Sequence, residues 1–167
     1  MNRSIKLLAT GKEIDGKYVA MVAPFMIPTS HPLYCVNDVF NAVYVTGNML
    51  GDSMYYGRGA GKLPTASAVV SDIVDCARHV GKTIMCLWDE EKIELESTDE
   101  IMQIFFVRVD KEKQSKEDVE KLFGNVSFVN MPEYEDEIAF VTEAMKEKDF
   151  KVAAEKCEGL LSRIRVM

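Results

Sequence analysis

Ala66, Val69, Val70, Ile73, Val74, Ala77 and Val80 fall at i, i+3, i+4, i+7, i+8, i+11 and i+14. At 3.6 residues per turn these positions line up on one stripe, a pattern that an α-helix satisfies and a strand of period two does not. Pro64 suits the first helical turn, where its missing N–H costs nothing, and Gly81 suits the left-handed position beyond the end. The spacing therefore predicts a helix over 64–80. Gly57, Gly59 and Gly61 lie just ahead of it in YYGRGAGKLPTASAVVS (55–71), so the glycines sit at its N-terminus.

Two familiar phosphate-binding patterns fail here. GxxxxGK[ST] would need glycine at Tyr56 and Ser or Thr at Leu63, and GxGxxG meets Lys62 from Gly57 or Pro64 from Gly59. General physics remains: glycine lets backbone approach a ligand closely, and the exposed N–H groups of a helix start can donate to a carbonyl, amide or phosphate oxygen. From the residues alone the segment reads either as a ligand contact or as a tight turn packed on a sheet.

The 167 residues are 47% hydrophobic and 28% charged, enough for one good core or two small ones. The opening MNRSIKLLATGKE has too short an apolar run for a signal peptide, and no stretch approaches the roughly 18 apolar residues of a membrane span. A soluble, cytoplasmic protein without a membrane partner is expected. Cys35, Cys76, Cys86 and Cys157 show no CxxC spacing and read as reduced thiols, with no metal site. The net charge of −7 argues against a nucleic-acid partner, whose phosphates call for a basic face.

That charge is uneven. Residues 1–86 hold eight Lys/Arg and six Asp/Glu, or +2, and 87–167 hold twelve and twenty-one, or −9. The asymmetry predicts two units, 1–86 and 101–167, joined by the acidic run 87–100 as a linker or exposed hairpin.

In the first unit IKLLAT and KYVAMVAPFMI flank Asp15-Gly16 and read as a hairpin. SHPLYCVN is irregular, with Pro28 and Pro32 excluding helix. VFNAVYVTG (39–47) and DSMYYG (52–57) are β-rich. From 101 onward the order is strand (IMQIFFVRV), helix (QSKEDVEKLFG), strand (NVSFVNMPEY), strand (DEIAFVTEAM), helix (KDFKVAAEKCEGLLS) and strand (RIRVM). The predicted class is α+β: part of a mixed sheet with a covering helix, then a ferredoxin-like βαββαβ domain. His31 reads as a turn residue and His79 as a cation suited to a helix end. Neither shows a nucleophile or acid partner, and no catalytic residue is assigned. Arg58 could reach an anion, though an ion pair is the plainer expectation.

HPLYCVNDVFNAVYVTGNMLGDSMYYGRGAGKLPTASAVVSDIVD (31–75) closely resembles the closing part of the catalytic region of homoserine dehydrogenases. The match includes the HPL turn, VNxVFNAVxV, a GD before an aromatic pair, GRGAG and PTASAVVxDIVD, and the similarity runs over about 5–80. The resemblance implies NAD(P)-dependent interconversion of aspartate semialdehyde and homoserine, a step toward threonine and methionine. It places Gly57, Gly59, Ala60, Gly61 and Thr65 beside the nicotinamide end of NADP or NAD. The family's nucleotide-binding domain and catalytic lysine match nothing in this sequence, so the chain alone is expected to bind no cofactor and to be inactive. The nucleotide-binding half would come in cis or in trans. Exposed apolar surface and strand edges further predict a homo-oligomer, in the simplest case a dimer.

By its place and topology the second unit resembles an ACT-type regulatory domain, and VDKEKQSKEDV holds Asp110 without the glycine that amino-acid-binding members carry. A structural or oligomer-building role follows, with an amino-acid-binding regulatory subunit as the alternative.

Overall fold

The computed structural model describes residues 2–83, 85, 87–88 and 90–167, so the expectation for Cys86 lies outside the described residues. The backbone groups into two units, Met1–Thr29 with Ile93–Met167, and Ser30–Lys92.

In the first unit β1 (Arg3–Ile14) and β2 (Lys17–Pro28) form the expected antiparallel hairpin. Its two-residue turn needs left-handed backbone at both positions, supplied by Asp15 (φ 52°) and Gly16 (φ 77°). β5 (Met102–Asp110), α2 (Lys116–Phe123), β6 (Val126–Val129), β7 (Glu137–Thr142), α3 (Glu147–Lys156) and β9 (Leu160–Val166) follow, with a two-residue β8 (Met145–Lys146) before α3. The strand order is β1-β2-β9-β5-β7-β6, with β8 beside β5. Its β9-β5-β7-β6 part has the connectivity and neighbours of a ferredoxin-like βαββαβ sheet. The protein is an α+β fold built on this mixed sheet.

Side-chain alternation divides the sheet into two faces. Phe105, Val107 and Val109 of β5 meet Val119 and Phe123 of α2 and Phe150 and Ala153 of α3 in the main core. Phe105 and Phe150 stack with centroids 3.8 Å apart. α2 starts where the Ser115 hydroxyl accepts from the Asp118 N–H while the Asp118 carboxylate reaches back, a complete capping box, and it stops at Gly124. Glu147, buried at the start of α3, holds Arg165 through contacts of 2.6 and 3.1 Å. Burying that carboxylate is tolerable because a guanidinium meets both oxygens.

Several sequence boundaries were too generous; the strand read as DEIAFVTEAM stops at Thr142. α3 ends at Lys156 rather than running to Ser162, because Gly159 (φ 80°) turns the chain and Leu160–Ser162 pair with β5. β6 ends at Val129, since Asn130–Asp136 form a turn-rich connection to β7.

The unit boundaries also differ from the division drawn at 86 and 101. β2 pairs in parallel with β9 at Phe25↔Arg165 and Met26↔Val166, which carries the opening hairpin into the sheet of the βαββαβ part. Charge asymmetry reports surface, whereas backbone pairing decides which segments share a sheet. The acidic run is likewise no free linker at its C-terminal end. Leu95 bridges Tyr18, Glu96 pairs with Lys17 at 2.8 Å, and Glu100 takes Lys146 and Lys148 at 2.9 and 2.7 Å.

The second unit holds β3 (Phe40–Gly47) and β4 (Gly51–Arg58), a two-stranded sheet of their own, and α1 (Lys62–Arg78). The helix forms where the stripe predicts, but it covers nothing. None of its residues is buried, nor is any described residue of Ser30–Lys92. The expected covering helix is thus corrected to an uncovered one, because amphipathic periodicity fixes which face is apolar without supplying a surface to bury it.

Candidate functional site

The segment from the end of β4 to the first turn of α1 brings the five expected cofactor-binding residues, Gly57, Gly59, Ala60, Gly61 and Thr65, into one continuous, solvent-exposed stretch. One of its glycines is required by the geometry and a second is closely approached by a side chain. Gly61 is the N-cap of α1 with φ 118°, a backbone state that L side chains rarely adopt. At Gly59 an added Cβ would meet the Asn41 side-chain amide, which would have to shift. Gly57 meets no such constraint, since nothing lies within 4 Å of a Cβ built there.

Because Gly61 has no side chain, no side-chain hydrogen bond caps α1; of its first three residues Lys62 and Leu63 carry a backbone N–H and Pro64 does not, and the positive end of the helix dipole lies behind them. The Thr65 N–H closes the first turn on the Gly61 carbonyl at 3.1 Å. The arrangement can donate hydrogen bonds to an oxygen-rich ligand laid across the glycines; it contains no group placed to exchange a proton.

Arg58 departs from the expected ion pair. Its guanidinium lies 5.1 Å over the Phe40 ring, which stacks in turn on Tyr56 at 4.8 Å. β3 and β4 pair Phe40 directly with Arg58, so strand register makes this ladder. No carboxylate among the described residues forms a salt bridge with Arg58.

A polar cluster on the same hairpin escaped the sequence reading. Asp52 accepts from the Thr46 hydroxyl at 2.8 Å and from Tyr44, and these hydrogen bonds hold its carboxyl below the usual range. The same bond to Asp52 raises the Tyr44 phenol. The His31 ring sits 5.7 Å from that of Tyr44, and its Nδ1 accepts from the Leu33 N–H, capping the Pro32–Cys35 turn. The residue types were visible; only the β3–β4 register brings them together. His79 closes the end of α1, with Nδ1 2.9 Å from the Asp75 carbonyl.

Among the described residues no group of three or more His, Cys, Asp or Glu could hold a metal. Cys35, Cys76 and Cys157 are unpaired, and burial pushes the Cys157 thiol up. Among the described residues no helix is long and apolar enough to cross a membrane. In the βαββαβ unit the Asp110 carboxylate is engaged by the Glu112 N–H at 2.9 Å, and the neighbouring Gln114 is buried with its Oε1 unpaired.

Residues 1–74, which contain the glycine segment and most of α1, match the family model described as homoserine dehydrogenase. The Lactococcus lactis homoserine dehydrogenase is 47% identical over 70 residues, covering 42% of this chain and 16% of that protein. The Helicobacter pylori homoserine dehydrogenase is 38% identical over 106 residues, covering 64% and 25%. Similarity of fold reaches further. The crystal structure of Staphylococcus aureus homoserine dehydrogenase at pH 7.0 covers 99% of this chain at a TM-score of 0.70 and 29% identity, and 42% of that chain is matched. For the homoserine dehydrogenase of Thiobacillus denitrificans the TM-score is 0.77 at 25% identity, with 99% and 43% covered. The chain thus spans less than half the length of these relatives.

Proposed function

We propose that this chain supplies the glycine-loop wall of the NAD(P) site in a homoserine dehydrogenase, the enzyme that interconverts L-aspartate 4-semialdehyde and L-homoserine on the route to threonine and methionine. One observation carries the reading. Gly57, Gly59, Ala60, Gly61 and Thr65 form a single exposed, uncapped helix start inside the matched residues 1–74. Gly59 and Gly61 keep that backbone free of side chains, so a flat ring or a carboxamide can lie against it and receive N–H donors. Hydride transfer is the cofactor's chemistry, and this segment's part is to position it.

On this reading the chain alone has no activity, because the nucleotide-binding half and its lysine must join it in cis or in trans in the cytoplasm. The βαββαβ unit is an ACT-like module with a structural role.

The test mixes the purified chain with a separately expressed polypeptide comprising the remainder of a homoserine dehydrogenase, and follows NAD(P)H absorbance with homoserine. Neither part turns over alone and the mixture does. Gly61→Ala, which forces a side chain into a φ of 118°, lowers the rate of the mixture at least tenfold while leaving the assembly intact. Turnover by the chain alone, or a fully active Gly61→Ala mixture, refutes the reading. The alternative, a regulatory subunit that binds an amino acid, would show as a saturable melting shift in the chain by itself.

A further inference from the structure

β4 ends at Arg58 and α1 begins at Lys62, so Gly59, Ala60 and Gly61 are all the chain between strand and helix. Two glycines in three residues give a backbone many accessible shapes, most of which would aim its N–H groups away from a common ligand. The neighbouring strand limits that freedom. Phe40 and Asn41, the first residues of β3, are paired with Arg58 and Gly57. Successive side chains of a strand leave opposite faces, so these two reach the departing chain from opposite sides.

Phe40 takes Arg58. The guanidinium lies 5.1 Å over the ring, and Tyr56 backs that ring at 4.8 Å in a stack only 10° from parallel. Asn41 takes Gly59. The three heavy atoms nearest to a Cβ built on Gly59 are the Nδ2, Cγ and Cβ of Asn41, so the carboxamide lies against the glycine over its whole length. With no side chain on Gly57, directly opposite Asn41, nothing competes for that position. Arg58 and Gly59 are thus gripped from two sides at the point where the chain leaves the sheet.

We propose that Asn41 is a positioning residue of the glycine segment: its carboxamide braces Gly59 while the stack of Arg58, Phe40 and Tyr56 fixes the end of β4, and together they hold the loop in the shape that receives the cofactor. The inference rests on the role proposed for that segment. Ordering the backbone of one residue in advance is worth about tenfold in an equilibrium constant, because the ligand no longer has to order it on binding.

Nuclear magnetic resonance on the full chain by itself tests the brace without reference to function. The Asn41 side-chain amide protons give cross-peaks to the Gly59 Hα protons. The heteronuclear NOE of the Gly59 and Ala60 amides, which reports motion faster than a few nanoseconds, is close to that of β3 and β4. It falls in Asn41→Ala and returns in Asn41→Asp, which has the same size and shape. Asn41 is exposed, so the circular dichroism of both variants is that of the wild type. Absent cross-peaks, or a Gly59 amide as mobile in the wild type as in Asn41→Ala, overturn the proposal.

Steady-state kinetics on the chain mixed with the remainder of a homoserine dehydrogenase separates positioning from a merely structural role. Asn41→Ala raises KM for NAD(P) about tenfold and leaves KM for homoserine within about twofold, and Asn41→Asp recovers most of the loss. A residue needed only for folding would lower the amount of active enzyme, and so the apparent kcat, at unchanged KM. That result, or a KM for homoserine that rises while that for NAD(P) does not, overturns the proposal. A wild-type mixture that never turns over refutes the role of the glycine segment instead, and the spectra of the chain by itself then decide whether Asn41 braces Gly59.

Discussion

Hydrogen exchange should divide this chain sharply, with α1 exchanging almost as an unfolded peptide and β5 as a protected core. α1 has 17 residues and buries none of them. Isolated helices of about 12–15 residues are marginal in water even when rich in alanine. This one contains five β-branched residues, Thr65, Val69, Val70, Ile73 and Val74. At about 0.5 kcal/mol each relative to alanine, they set the helix back by about 2.5 kcal/mol. Its amides should therefore be protected less than about tenfold. β5, with Val107 and Val109 at 0% exposure, opens only with the whole unit. A stability of about 5 kcal/mol would protect it by more than about a thousandfold.

The same numbers say what docking would do. Val69, Val70, Ile73 and Val74 are 43–61% exposed, so about half of each side chain remains to be buried. Complete burial of such a side chain gives about 1.5–3 kcal/mol, and half of that over four residues gives about 3–6 kcal/mol, more than the propensity deficit. Peptide-resolved exchange should show α1 protected once the remainder of a homoserine dehydrogenase is added, with Ile73→Asp abolishing the change and β5 unaffected throughout. If α1 in the chain alone exchanges as slowly as β5, the stripe is already satisfied and the argument from exposure is wrong.

Phe150→Ala removes a fully buried ring stacked on Phe105 and should cost about 3–5 kcal/mol in urea denaturation; a loss below 1 kcal/mol would mean that the α3 interface is not the core. Hydrogen bonds from Lys148 and Lys146 pull the Glu100 carboxyl down to about 2 from its ordinary 4.5, so its contribution is complete above about pH 4.5 and lost as pH falls through about 2. The melting-temperature deficit of Glu100→Gln should accordingly shrink over that window, whereas a deficit that does not change with pH would exclude the ion pairs as its cause. Threonine at millimolar concentration should shift the melting temperature by less than about one degree, since Lys111–Ser115 contains no glycine and Asp110 is engaged by the Glu112 N–H. A saturable rise of several degrees that Asp110→Ala removes would restore the regulatory reading.

What could be read from the sequence was what neighbouring residues decide. Asp15-Gly16 set the hairpin turn, the stripe set α1, and the alternation of β5 with the periodicity of α2 and α3 gave the βαββαβ order. The glycine segment could be located for the same reason, because Gly57, Gly59 and Gly61 and the helix start are adjacent along the chain. What could not be read was pairing between distant strands. Nothing local in Phe25-Met26 or Arg165-Val166 says that they join in parallel, yet those two pairs move residues 1–29 into the unit that ends the chain. Tyr44, Thr46 and Asp52, and Arg58 on Phe40, likewise meet only through the β3–β4 register.

α1 shows how the two kinds of information differ. A period of 3.6 records the surface against which a helix has been selected to pack, wherever that surface lies. Had the partner surface been within Ser30–Lys92, the stripe would be buried there, and it is exposed. The bare sheet face repeats the pattern with period two, with Ile5 and Leu7 on one strand and Val22 on the next, all turned to water. A helix stripe and a sheet face, apolar and uncovered in separate units, are two requirements of different shape.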